Sequence, residues 1–284
     1  MPFDCGVTIE QQMNEVYRKG IDVLFVTNHN TVDGYRQMLE YKKDHAKFAN
    51  LQIYPAEEVT TDTNGHVIAY GVHTRIRPLM SLEEILDEIR KQGAVSSAPH
   101  PFAVTNGIRE KASLCDMIEV FNSNNIDRFS NFAAKIFASA NNMVQVAGSD
   151  SHLTSTIGRC LNLIESENTL DDILDAMKGN RIQIREMRLI SHKEVLEHAR
   201  YILLNSAPYL LDYAKEYHPK LHGIAEIALG SFTKSPNSAL WGAISWFALF
   251  LTKRVSEKVN VRGYSPEIFV NRRIGKILQL ALLP

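Results

Sequence analysis

Two hydrophobic periodicities alternate along residues 1–190. Thr8-x-x-Gln11 has the form of a capping box, and the apolar residues after it recur at helical spacing until Gly20, so a helix is expected there. Further helices are expected over 32–48, from the Ser81-x-x-Glu84 box to Gly93, over 128–142 and over 169–178. Short apolar runs between them read as strands: 21–26, 51–59, 66–72, 94–98, 116–121, 143–147, 159–165 and 181–185. The runs 51–59 and 66–72 flank Asn64-Gly65, a strong hairpin signal. Strands alternating with helices imply a largely parallel sheet covered by helices, and this many units in so short a stretch suits a closed or nearly closed β/α barrel. After Ser191 the strand pattern stops. Helical stretches at 192–205, 209–217, 221–232, 239–259 and 266–283 give an all-helical extension over 191–284, separate from a first domain over 1–190.

Polar residues with metal-binding chemistry gather where the apolar runs end. The strand ends carry Thr27-Asn28-His29-Asn30, Ala56-Glu57-Glu58-Val59, Ala98-Pro99-His100-Pro101, Glu119 with Asn122, and Gly148-Ser149-Asp150-Ser151-His152, and the hairpin's return strand begins at His66. In β/α barrels the C-terminal strand ends form one rim, which is where active sites lie. Imidazole and carboxylate without thiolate suit Mn, Zn or Fe. The remaining histidines, His45, His73, His192, His198, His218 and His222, fall on helices or off the rim and read as structural or solvated. No Gly-rich phosphate loop and no nucleophile elbow is present.

Composition narrows the class. Net charge is −1, so nothing global points to a polyanion partner. Cys5, Cys115 and Cys160 are far apart and unpaired in pattern, as in reduced cytoplasmic proteins. The longest apolar stretch, 239–251, is too short for stable membrane insertion, which needs roughly 20 residues. From Ala239 onward Lys253, Arg254, Lys258, Arg262, Arg272, Arg273 and Lys276 face only Glu257 and Glu267. That excess reads as a solvated basic helix face, with nucleic acid, a partner helix or a membrane surface as the other readings. The pattern leaves the oligomeric state open.

Taken in order, these motifs resemble the PHP (polymerase and histidinol phosphatase) family of metal-dependent phosphoesterases, most of all its stand-alone members, over about residues 4–190. The resemblance rests on Thr27-Asn28-His29-Asn30-Thr31, the Glu57-Glu58 stretch with His66, Ala98-Pro99-His100-Pro101, Ile118-Glu119-Val120, and Gly148 through His152 with Gly158 beyond. It implies a distorted seven-stranded β/α barrel holding two to three divalent ions. Glu58 and Asp150 would serve the first, Glu58, His66 and His100 the second, and Asp4, His29 and His152 the third. Two features depart from the family. Its opening strand ends in a His-x-His pair of ligands, whereas Met1 stands three residues before Asp4, so the true start is expected upstream. Asn28 stands where most members have Asp and cannot act as an ionised acceptor beside a ligand.

The resemblance implies a phosphatase or 5′-to-3′ exonuclease. Two ions sharing a hydroxide would activate it for in-line attack on phosphorus. Glu58, Asp150 and His152 are the expected catalytic residues. Arg109 and Arg159, with Lys111 nearby, are the rim cations expected to bind the phosphate of a nucleotide, a short oligonucleotide or a small phosphomonoester. The rival readings are a catalytically weakened PHP module that binds metal or nucleotide and acts through its helices, and an amidohydrolase on a similar barrel.

Overall fold

The computed structural model describes residues 4–266 together with 279, 281 and 282, so the helix expected over 266–283 lies almost wholly outside the described residues. Capping fixes the first helix as expected. Thr8 accepts from Gln11 N while the Gln11 side chain returns to the Thr8 backbone, opening α1 (Ile9–Arg18). After β1 (Val23–His29), α2 (Asp33–Lys43) is shorter than its pattern. His45 is extended, at φ −133°, and its ring Nδ1 lies 2.7 Å from the Tyr41 carbonyl, the acceptor the next helical N–H would have used. The hairpin of β2 (Gln52–Thr60) and β3 (His66–Tyr70) turns through Asn64, at φ +65°. The next elements are α3 (Leu82–Lys91), β4 (Val95–Ala98), β5 (Met117–Asn122), α4 (Phe129–Ala140) and β6 (Val144–Gly148). β7 (Cys160–Ile164), α5 (Leu170–Lys178) and β8 (Ile182–Met187) complete the α/β part.

The sheet is a curled half-barrel of six strands in the order β1-β2-β3-β4-β5-β6, with β7 and β8 as a separate antiparallel pair. This differs from a single seven-stranded barrel. β1 and β2 are parallel, β3 runs against both neighbours, and β4, β5 and β6 are parallel. The break after β6 has a local cause. Asn162 of β7 takes the Ala147 N–H at 3.0 Å and donates to the Ala147 carbonyl at 2.8 Å, so a carboxamide stands where a backbone ladder would continue. Ser149 bonds Cys160 N at 3.0 Å in the same gap. At the other end, no strand among the described residues pairs with the outer edge of β1.

Three apolar clusters hold these elements. Inside the curl, Val95, Met117 and Val146 meet Ile173, Leu174 and Met177 of α5, with Phe25, Tyr54 and Tyr70 beside them. On the convex side, Val59, Val67 and Ile118 pack under Ile85, Leu86 and Ile89 of α3. Val26 and Ile53 pack with Met13 and Val16 of α1 and Met38 of α2. A buried aliphatic side chain of this size contributes about 1.5–3 kcal/mol, so the clusters supply most of the drive for folding.

Only helices follow β8 among the described residues: α6 (His192–Tyr217), α7 (His222–Lys234) and α8 (Ala239–Asn260). The two helices expected at 192–205 and 209–217 are one. Pro208 lies inside α6, where it removes an N–H donor without ending the helix. The C-terminal half of α8 is buried against α4 and the β4–β5 connection: Ser256 reaches Ser130 at 3.3 Å and Asn260 donates to the Phe102 carbonyl at 3.1 Å. Its basic residues are not a free cationic face. Arg254 and Arg262 pair with Glu257, Lys258 is buried, and Lys253 contacts His192. Arg272, Arg273 and Lys276 lie outside the described residues. No helix among the described residues is long and apolar enough to cross a membrane.

Asn162→Ala leaves the buried Ala147 N–H and carbonyl without partners, so it should cost about 2–4 kcal/mol. Urea denaturation measures this, and a loss below about 0.5 kcal/mol would contradict the role given to Asn162. Glu194 supplies a second expectation. Burial alone would raise its carboxyl, but hydrogen bonds from Ser191 and Ser155 and the Arg159 charge bring it down from 4.5 to about 2. A depressed carboxyl stabilises above its unfolded value, and that contribution is lost as pH falls from about 4.5 to about 2. Glu194→Gln should therefore lower stability at pH 7 and flatten thermal stability against pH across that window.

Candidate metal centre

The period of two along the strands carries the polar cluster into the half-barrel. In β2, Tyr54 faces the inner cluster, so Glu58, four residues on, faces the same side; in β5, Met117 does so and Glu119 follows it. Phe25 puts His29 on that side of β1, and Tyr70 puts His66 on that side of β3. Because β3 runs in reverse, its first residue pairs with Thr60 at the C-terminal end of β2, which brings His66 to the common rim. A bulge between Glu119 and Phe121 shifts the alternation by one and returns Asn122 to the interior. His100 and Asp150 sit just past β4 and β6 at φ +31° and +44°, a region few residues other than glycine occupy.

Glu58 is the hub. Its Oε1 lies 2.7 Å from His66 Nδ1 and 3.1 Å from His100 Nε2, and its Oε2 lies 3.9 Å from His29 Nδ1. On its other side His29 Nε2 is 3.8 Å from Asp4 Oδ2. Burial alone would raise Glu58, but hydrogen bonds from His100 and His66, with the His29 charge, hold it well below the usual carboxylate range. His100 responds in kind: burial opposes its charge, but Glu58, then Asp150 and Glu119, push it up to about 9. Burial pushes Glu119 up to about 7, against the His100 charge and the Asn122 amide. Glu119 Oε2 accepts from His100 N and Asn122 Nδ2, both at 2.9 Å, so it fixes the backbone that presents His100.

The ligating atoms of Asp4, His29 and His152 lie within 4.8 Å of one another, and so do those of His29, Glu58 and His66. Asp150 belongs to neither group. Its Oδ2 is held by Asn122 at 3.3 Å and Asn124 at 3.4 Å, and its Oδ1 lies 3.5 Å from His152 Nδ1. The two arginines are not brought to the cluster. Arg109 lies over the Phe102 ring at 5.0 Å and donates to Asn260 at 3.3 Å; Arg159 pairs with Glu194 and donates to the Leu189 carbonyl. Both guanidiniums are committed to packing the helical region. Lys111 lies on the adjoining short helical turn and is not at the cavity. Asn28 faces away from the ligands, toward Gly34 of α2. Two residues near the cluster had no distinguishing sequence signal, Asn124 and His198. The His198 ring sits 4.6 Å from the His152 ring, which places it beside the cluster rather than off the rim.

The cluster opens on a cavity of about 700 Å³ that runs on along the outer edge of β1. Asp4, Glu58, Glu119 and Asp150 line it, and no Lys or Arg does among the described residues. Acidic groups this close favour a cation, and among the described residues that line the cavity only imidazoles can carry positive charge. His100 Nδ1 is buried without a hydrogen-bond partner. Carboxylates, imidazoles and an unanswered buried ring nitrogen together fit a divalent ion.

Gly148 admits Glu119: a Cβ there would stand 1.7 Å from Glu119 Oε1. Gly148→Ala should displace that carboxyl and the His100 backbone with it. The expected result is a loss of about 1–3 kcal/mol in urea denaturation, the range for an overpacked core, and weaker divalent-ion binding. Unchanged stability would show that Glu119 has room to move.

Residues 128–182 match the family model described as PHP-associated. Two uncharacterized proteins of Methanocaldococcus jannaschii are similar. MJ1587 is 31% identical over 117 residues, covering 40% of this chain and 66% of that protein. MJ0417 is 32% identical over 166 residues, covering 54% of this chain and 70% of that protein. The chain thus spans about two thirds of the length of these relatives. Among solved structures, PsfC from Pseudomonas syringae PB-5123 has a TM-score of 0.49 at 17% identity, over 68% of this chain and 88% of that one. The lesion-specific endonuclease PfuEndoQ from Pyrococcus furiosus has a TM-score of 0.42 at 15% identity, over 61% of this chain and 52% of that one. With the motifs gathered at one rim, the family model matched and the larger part of MJ0417 aligned, the chain belongs to the PHP domain family.

Proposed function

We propose that this protein is a metal-dependent phosphoesterase that hydrolyses a phosphate ester of a nucleotide, a short oligonucleotide or a small phosphomonoester. One observation carries the reading: imidazoles and carboxylates converge on Glu58 at the mouth of a cavity whose lining, among the described residues, has no Lys or Arg to answer a phosphate. Asp4, His29 and His152 would hold one ion, and Glu58 with His66 and His100 another. Divalent ions bound there would supply Lewis acidity toward water and the phosphate oxygens. The chain's own groups set the rest. Glu58 is fixed by its histidines, Glu119 orients the His100 backbone, and Asn122 and Asn124 hold the Asp150 carboxylate toward His152. The cavity volume falls within the range for small-molecule sites, roughly 300–1,000 Å³.

A second reading, a weakened module that binds metal or nucleotide without turnover, draws on the position of Asp150 outside both ligand groups. The two divide the chain into 1–190, carrying the chemistry, and 191–284, supporting it or reading it out.

Phosphate release from nucleoside bisphosphates and short RNA, with added Mn²⁺, tests the proposal. Wild type should be active, and Glu58→Ala and Asp150→Ala should each lose roughly hundredfold or more in kcat/KM, the scale of removing a group that answers transition-state charge. Equal rates in all three would end the proposal. Mn²⁺ binding without turnover by wild type would favour the second reading.

A further inference from the structure

The geometry points to His198 of α6 as a positioning residue for the Asp4, His29 and His152 group, an inference that rests on the metal reading of that group. The ligands differ in how they are supported. His29, Glu58 and His66 lie in strands whose ladders fix them. Asp4 lies in a turn and His152 in a bend past β6, and neither belongs to a helix or strand. One face of α6 supplies what the ladder does not. His198 Nε2 lies 2.6 Å from the Asp4 carbonyl, and with the proton on that nitrogen it donates to it. The same ring packs on the His152 imidazole at 4.6 Å, with planes 35° apart.

Residues one turn to either side repeat the arrangement. Tyr201, three positions on, donates to the Cys5 carbonyl at 3.4 Å, and its ring lies so close to Gly6 that a Cβ there would be 2.5 Å away. Glu194, four positions back, accepts from Ser155 at 2.8 Å and pairs with Arg159, on either side of the turn that follows His152. Positions i, i+4 and i+7 share one helix face, so a single surface of α6 grips both loops that deliver ligands. Because its Nε2 is given to a carbonyl, His198 acts through Asp4 and His152 rather than on an ion. Outer residues that orient ligands typically set metal affinity by 10–100-fold.

Mn²⁺ binding to the full chain, followed by titration calorimetry and by the Mn²⁺ electron paramagnetic resonance spectrum, tests this. His198→Ala should weaken one ion roughly 10–100-fold, change the signal of that ion, and leave the affinity of the other unchanged. His198→Gln, whose carboxamide N–H can still reach the Asp4 carbonyl, should recover much of the loss. Tyr201→Phe should give a smaller loss at the same ion. A thermal melt of each variant separates local from global effects. Should His198→Ala fail to fold, Tyr201→Phe still decides: wild-type affinity for both ions in that variant overturns the inference. Equal binding by wild type and His198→Ala overturns it directly and leaves the metal reading standing. A wild-type chain that binds no Mn²⁺ overturns the metal reading and this inference with it.

Discussion

Glu58 is 6% exposed, and the cost of taking a carboxylate out of water sets the terms for its surroundings. A buried carboxylate survives ionised only where positive charge and hydrogen bonds answer it, and here three imidazoles do so. Each of those rings needs its own backbone position: two come from β1 and β3 and the third from a strained residue just past β4, while β2 carries Glu58 itself. The curl of the sheet is what lets four separate elements meet around one oxygen pair. The second buried carboxyl, Glu119, is shifted the other way: burial pushes it up to about 7, and it braces the His100 backbone. Two carboxyls in one interior, one held down and one pushed up, are set apart by their environments.

Much of this was legible in the sequence because it follows from local rules. The Thr8 and Ser81 capping boxes, the Asn64-Gly65 turn and the period of two in the strands are short-range signals, and the structure carries each of them. The gathering of His29, Glu58, His66 and His100 follows from strand ends sharing a rim, so spacing alone brought those residues forward. What stayed hidden depends on contacts between distant residues. Asn162 looks like any polar residue in a strand until Ala147 is beside it, and that pair is why the sheet stops at six strands. Arg109 and Arg159 look like free rim cations until Asn260 and Glu194 are in place. His198 is one imidazole on a long helix, and nothing in its neighbours along the chain announces Asp4 or His152.

The helical region and the half-barrel therefore share more than a boundary. Arg109, Phe102, Ser130 and Asn260 tie α8 to the β4–β5 connection and to α4, while Glu194, His198 and Tyr201 tie α6 to the loops around Asp4 and His152. Both links are polar contacts at part-buried positions, which fix orientation more than they add stability.

The bond between His198 and Asp4 joins residues 194 positions apart. A ribosome releases the chain from its N-terminus, so the two ligand groups mature at different moments. His29, Glu58 and His66 are all present once residue 66 has emerged, but Asp4 and His152 are gripped only after α6 has been made. At typical synthesis rates the interval is on the order of ten seconds. During it the nascent chain holds His29, Glu58 and His66 in their strands while the Asp4 loop still waits for its contact with α6.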